Sequence, residues 1–210
     1  STSDLSDAVS QSDLVIEAVP EIMDLKQKLF SEIDTMTSGI LATNTSSLSI
    51  QSIAEATSRP HEVIGMHFFN PVPIMELLEL VKHDLCSSET IDFAQKAGAE
   101  MGKTTILVND IPGFATSRLG VVLGNEAIRM LADGVANAED IDKAMTLGYR
   151  HPMGPLRLTD LVGLDVRRDI LLNLKESFGD ERYTPHPLLE EMITKGMLGK
   201  KSGKGFFEWD

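Results

Sequence analysis

His67 and Glu79 lie in MHFFNPVPIMELLEL, Met66 to Leu80, a stretch otherwise dominated by apolar residues. The carboxylate follows the imidazole by twelve residues, across NPVP, so two paired apolar runs would bring the side chains together. Imidazole titrates near neutrality and can take a proton from a hydroxyl. A buried carboxylate on its other nitrogen fixes the tautomer and stabilises the imidazolium. Oxidation of a secondary alcohol needs such a base, because the hydroxyl proton must go somewhere while hydride leaves. The same spacing also suits a structural histidine satisfied by backbone.

Other polar residues carry two readings each. Ser46, in NTSSL, follows the apolar run GILATN. That places it at the carboxyl end of a predicted strand, where open α/β sheets bind ligands. It can hydrogen-bond a substrate oxygen or cap the next helix, a role Ser47 and Ser49 suit better. Asn70 can cap the NPVP turn. Ser117, in PGFATSRL, reads as an ordinary helix serine, and Lys26 as a solvated helix lysine. His61, His83, His151 and His186 show no HxxxH or HxH spacing, and Cys86 is the one cysteine, so no metal set is expected.

These residues need elements to position them. DLVIEAVP, GILATN, VIGMHFF, IMELLELV and TTILVN read as strands. Helical spacing marks EIMDLKQKLFSEIDTM, SIQSIAEAT and SETIDFAQKAGAEM between them. Such alternation predicts an α/β fold with a mostly parallel, Rossmann-like sheet. IMELLELV follows VIGMHFF with no helix between, so it is expected to be antiparallel. After Asp110 the pattern turns helical. IPGFATSRLGVVLGNEAIRMLADG, NAEDIDKAM with Asn137 as cap, PLRLTDLVGLDVRRDILLNLKESFG and HPLLEEMITKGM each read as one helix. The expected domains are therefore 1–110, a sheet domain, and 111–210, all-helical, joined at Asp110–Gly113.

NTSSLSI, HFFNPVPIMELLEL, DIPGF, HPMGPLRLTDLVGLD and GKKSGKGFF resemble, in order and spacing, the 3-hydroxyacyl-CoA dehydrogenases. The resemblance covers essentially the whole chain. It implies an NAD-binding domain, a helical domain that forms a homodimer, and oxidation of an L-3-hydroxyacyl-CoA to the 3-oxoacyl-CoA in fatty acid or short-chain acyl-CoA metabolism. His67, Glu79, Ser46 and Ser117 would be the catalytic set. Ala18, Glu21, Lys26, Ser46, Asn70 and Lys201 would approach the cofactor, with Lys201 in a tail whose Phe206, Phe207 and Trp209 argue that it docks. Ser117 stands where relatives carry asparagine, and its shorter hydroxyl would reach substrate through a bridging water.

The family's GxGxxG turn, which holds the cofactor pyrophosphate at a helix N-terminus, does not occur in this sequence. The expectation is a chain that starts just before the fourth strand of the nucleotide domain, leaves LVIEAV as an open edge and binds NAD poorly. Two alternatives keep the fold: a catalytically silent, crystallin-like structural protein, and a sugar-acid dehydrogenase.

A net charge of −13 over 210 residues gives no basic stripe for nucleic acid, and an anionic ligand would need a local positive site. The longest apolar runs are too short to span a bilayer. One cysteine excludes an internal disulfide framework, and together with the acidic, polar start STSDLSDAVSQSD it predicts a cytoplasmic protein.

Overall fold

The computed structural model describes residues 2–210. Two compact units divide after Phe114, the second being Ala115–Asp210. In the first unit, strands Leu14–Glu17 (β1), Ile40–Thr43 (β2), Val63–Phe68 (β3), Leu77–Lys82 (β4) and Thr104–Asn109 (β5) form one sheet in sequence order. β1, β2 and β3 are parallel, β4 is antiparallel to β3, and β5 is parallel to β4. Helices Met23–Asp34 (α2), Ile50–Ala54 (α3) and Ser88–Glu100 (α4) fill the crossovers, and a short helix, Leu5–Val9 (α1), precedes them. α1 was not expected from the sequence; the Asp4 side chain caps it by accepting from the Asp7 amide.

Alternation along the strands explains how both faces are covered. Leu41, Val63 and Val81 pack with Phe30, Ile33, Ile50 and Ile53 on one side. Their neighbours Ala42, Ile64 and Leu80 pack with Met66, Leu78 and Ala94 on the other. Each fully buried aliphatic side chain stabilises this sandwich by roughly 1.5–3 kcal/mol. Among the described residues β1 pairs with β2 alone and is a half-exposed edge.

The second unit holds Thr116–Ala132 (α5), Ala138–Gly148 (α6), Pro155–Val162 (α7), Leu164–Phe178 (α8) and Pro187–Thr194 (α9). Ile128, Leu156, Leu164, Leu171, Tyr183 and Leu189 lie in its core. The segment read as one helix from Pro155 to Gly179 is two, because Gly163 adopts φ 109°, outside the helical region and open mainly to glycine. A side chain there would press on Asp165 and on Lys201 from the tail. The helix expected from Ile111 begins only at Thr116. Asp142 accepts the amides of Leu156 and Arg157, satisfying the start of α7. Asp160 accepts the amides of Phe206 and Phe207 and the Trp209 indole, each at 2.9 Å, which docks the tail.

Candidate active site

β3 and β4 pair with His67 directly opposite Glu79, and residues opposed across two strands project on the same face. His67 Nδ1 lies 2.8 Å from Glu79 Oε2. Glu79 is fully buried and the His67 side chain retains 8% of its surface. An ionised carboxylate only accepts, so Nδ1 carries the proton and the lone pair of the neutral ring sits on Nε2. Nδ1 is taken up by the fully buried Glu79, so a ligand hydroxyl would meet the ring at Nε2. Phe69 and Phe114 flank the ring at centroid distances of 4.6 and 5.9 Å and fix its plane.

The carboxyl ends of β1, β2 and β3 lie side by side, and a hydrogen-bonded chain joins them. Asn44 Oδ1 accepts the Phe68 amide at 2.9 Å, tying the loop after β2 to the strand that carries His67. That loop presents Ser46, which is exposed. Glu21 organises it, its Oε1 accepting from the Thr45 hydroxyl at 2.6 Å, the Ser46 amide at 2.9 Å and the Ser47 amide at 3.1 Å. The Ser46 hydroxyl donates more weakly to the same oxygen at 3.3 Å. A hydroxyl rotates freely, so it can turn to a ligand oxygen instead. Ser49, as read from the sequence, caps α3, and Ser47 does not.

Beneath Glu21 lies a buried ion pair. Lys26, 1% exposed, donates to Glu17 at 2.7 Å and lies 3.5 Å from Glu21. Glu17 also accepts from the Val19 amide and the Thr43 hydroxyl. The expectation of a solvated Lys26 is therefore wrong, because two carboxylates draw the ammonium inward. Burial on its own would raise Glu21, but hydrogen bonds from Thr45 and Ser46, the Lys26 charge and the Ser47 hydroxyl outweigh it and hold the carboxyl below its ordinary value.

Ala18 and Asn70 are exposed at the ends of β1 and β3. Asn70 does not close the NPVP turn: the Pro71 carbonyl accepts from Ile74 and Met75, and Lys103 Nζ donates to the Val72 and Met75 carbonyls. Ser117 is half-buried in the first turn of α5. Lys201 pairs with Asp165 at 2.5 Å. No group of three or more His, Cys, Asp or Glu that could hold a metal ion occurs among the described residues. Sequence reasoning missed Glu17, Thr45 and Asn44, whose bonds span residues far apart in the chain. Only their clustering at strand ends could have signalled them.

The residues present fit the nicotinamide half of a dinucleotide. Glu21 Oε1 takes the loop's donors, whereas Oε2 faces Lys26 at 3.5 Å and keeps capacity to accept from a ligand hydroxyl. For the pyrophosphate the sequence offers no GxGxxG turn.

Two family models match the chain: the 3-hydroxyacyl-CoA dehydrogenase NAD binding domain over residues 1–111, and the C-terminal domain of the same family over residues 113–209. A 3-hydroxybutyryl-CoA dehydrogenase of Clostridioides difficile is 48% identical over 200 residues, covering 94% of this chain and 71% of that protein. A probable 3-hydroxybutyryl-CoA dehydrogenase of Bacillus subtilis is 45% identical over 212 residues, covering 100% and 74%. The crystal structure of (S)-3-hydroxybutyryl-CoA dehydrogenase from Ralstonia eutropha superposes with a TM-score of 0.93 at 41% identity, over 98% of this chain and 73% of that one.

Proposed function

The chain belongs to the 3-hydroxyacyl-CoA dehydrogenases, NAD-dependent oxidoreductases of acyl-CoA metabolism, and from that premise we propose that His67 is the base that takes the hydroxyl proton, at Nε2. The observation that carries this is the 2.8 Å contact between Nδ1 and Glu79. Glu79 holds the ring with Nε2 unprotonated, then faces the imidazolium once the proton has arrived. Ser46 orients the substrate oxygen that becomes the ketone, and Glu21 keeps its loop in place with Lys26 and Glu17 behind it. Ser117 contributes a second hydroxyl to the substrate. Bound NAD supplies the hydride acceptor for C3. Ala18, Glu21, Asn70 and Lys201 contact the cofactor, and Lys26 acts on it through Glu21.

The substrate class is a short-chain L-3-hydroxyacyl-CoA, 3-hydroxybutyryl-CoA first, on the strength of the relatives' names. The helical unit builds a homodimer; Leu119, Val122, Leu161 and Val166 leave apolar surface exposed there. Among the described residues no helix is long and apolar enough to cross a membrane. A cytoplasmic setting suits the free Cys86, whose thiol burial pushes up to about 11. Retention of both His67 and Glu79 counts against a catalytically silent role.

The test is NAD reduction with L-3-hydroxybutyryl-CoA by the protein and by its His67→Gln variant, with melting curves for both. The proposal expects a loss of about 100-fold or more in kcat at unchanged melting temperature, in the range of a lost general base. A variant as fast as the wild type would refute the assignment.

A further inference from the structure

Asp110 directly follows β5 and lies inside the first unit. Its amide donates to the Lys82 carbonyl at 2.8 Å, which extends the pairing of β5 with β4 and fixes the backbone there. Its Oδ2 accepts from the Ser49 hydroxyl at 2.9 Å and from the Gln51 amide at 2.8 Å. Both donors open α3, 61 and 59 positions earlier in the chain. The Ser49 side chain in turn accepts from the Ser52 amide at 3.2 Å. A helix start leaves its first amides without partners, and Asp110 and Ser49 satisfy two of them here.

Ser46 sits in a loop held at both ends. At its start, Asn44 is tied to the Phe68 amide, and Glu21 takes the donors of Thr45, Ser46 and Ser47. The Leu48 amide donates to the Thr45 hydroxyl at 3.0 Å, a bond within the loop that anchors it to nothing else. At its far end Ser49 hangs on Asp110, immediately before the fully buried Ile50. The segment that presents the exposed Ser46 is therefore stretched between two carboxylates, Glu21 and Asp110. Asp110 bonds Ser49 and Gln51, so its effect on Ser46 passes through the loop.

We infer that Asp110 is a positioning residue for Ser46: it holds the start of α3, and through it the loop that turns the Ser46 hydroxyl toward the substrate oxygen. This role rests on the reading of Ser46 given above. Both bonds end on the same oxygen, so the loop needs an acceptor at that place and not the negative charge. A misplacement of about 1 Å at an orienting group costs on the order of 100-fold in rate.

Asp110→Ala, Asp110→Asn, Asp110→Glu, Ser46→Ala and the double variant Asp110→Ala/Ser46→Ala are compared with the wild type. The readouts are NAD reduction with L-3-hydroxybutyryl-CoA, melting temperature and amide hydrogen exchange. Asp110→Ala should lower kcat about 10–100-fold. The amides of residues 45–51 should exchange at least about tenfold faster in it. Asparagine keeps an accepting oxygen in place and should stay within about threefold of the wild type. Glutamate keeps the charge but moves its oxygens by one methylene, so it should lose about tenfold or more; it serves as the test if the alanine variant does not fold. In the Ser46→Ala background the loss from Asp110→Ala should shrink to about twofold or less, because the hydroxyl it positions is gone. Losses that multiply in the double variant are what a purely structural role gives, and they would overturn the assignment. An asparagine variant as slow as alanine, a glutamate variant as fast as the wild type, or unchanged exchange at 45–51 in Asp110→Ala would overturn it too. A slow Ser46→Ala beside a fast Asp110→Ala would sink the role of Asp110 alone, whereas a Ser46→Ala protein at full rate would sink the reading of Ser46 and the positioning role with it.

Discussion

Replacing Glu79 by glutamine removes one charge and almost no volume, so its effect on rate is a measure of what that charge does. The amide oxygen can still accept from Nδ1–H, which keeps the ring tautomer and leaves Nε2 as the base. What changes is the neighbour of the imidazolium that forms as the hydroxyl proton moves to His67. A hydrogen bond to a charged partner contributes about 1.5–3 kcal/mol, and a decade of rate corresponds to roughly 1.36 kcal/mol, so kcat should fall about 10–150-fold. Glu79 is fully buried and the contact is 2.8 Å, so salt and water screen it little and the upper half of that range is expected. KM should move less than about threefold, because the interaction strengthens only as charge develops. The assay is NADH formation from L-3-hydroxybutyryl-CoA at saturating NAD, with circular dichroism to confirm that the variant folds. A folded Glu79→Gln protein within about twofold of wild-type kcat would refute the idea that the carboxylate stabilises the imidazolium.

Asp160→Ala should destabilise the helical unit by about 1–3 kcal/mol, since three half-buried donors lose their buried acceptor and water can reach them only in part. Trp209, the one tryptophan of the chain, reports this directly: its emission should move to the red as the tail undocks, and an unchanged spectrum would contradict the role given to Asp160. The Glu21 carboxyl is held below its ordinary value of 4.5 in the folded protein, so its contribution to stability is complete above that pH and is lost as pH falls through the folded value. The difference in melting temperature between the protein and Glu21→Gln should accordingly be largest near neutrality and shrink below about pH 4.5. A difference that grows in acid would reverse the sign of the argument.

The pairing of His67 with Glu79 was legible because two apolar runs close in the chain each carry one such group. The connection is longer than NPVP, since β4 starts at Leu77 and not at Ile74, and the observed register sets the two residues opposite each other on one face. Ser46 was legible as the end of a parallel strand. What stayed hidden depends on residues far apart in the chain. Glu21 and the 45–47 loop are separated by 24 to 26 positions, so nothing local marks their bonds. Lys26 carries a helix pattern typical of a solvated lysine, and only the approach of β1 to α2 makes it a buried partner of Glu17. The break at Gly163 was missed because a lone glycine inside a helical pattern is usually tolerated, whereas here Asp165 and the tail lysine crowd the position a side chain would take. Arg167 sits in the run RRD, which reads as solvated charge; its burial comes from packing against Gly120.

The most direct test of the central claim is the protonation of the His67 ring itself. Nitrogen NMR on protein labelled at histidine, with His67→Gln used to assign the signal, should find Nδ1 protonated and Nε2 bare at neutral pH, with the Nδ1 proton shifted by its bond to Glu79. A ring protonated at Nε2, with Nδ1 bare against the carboxylate, would leave no base facing the substrate and would contradict the mechanism.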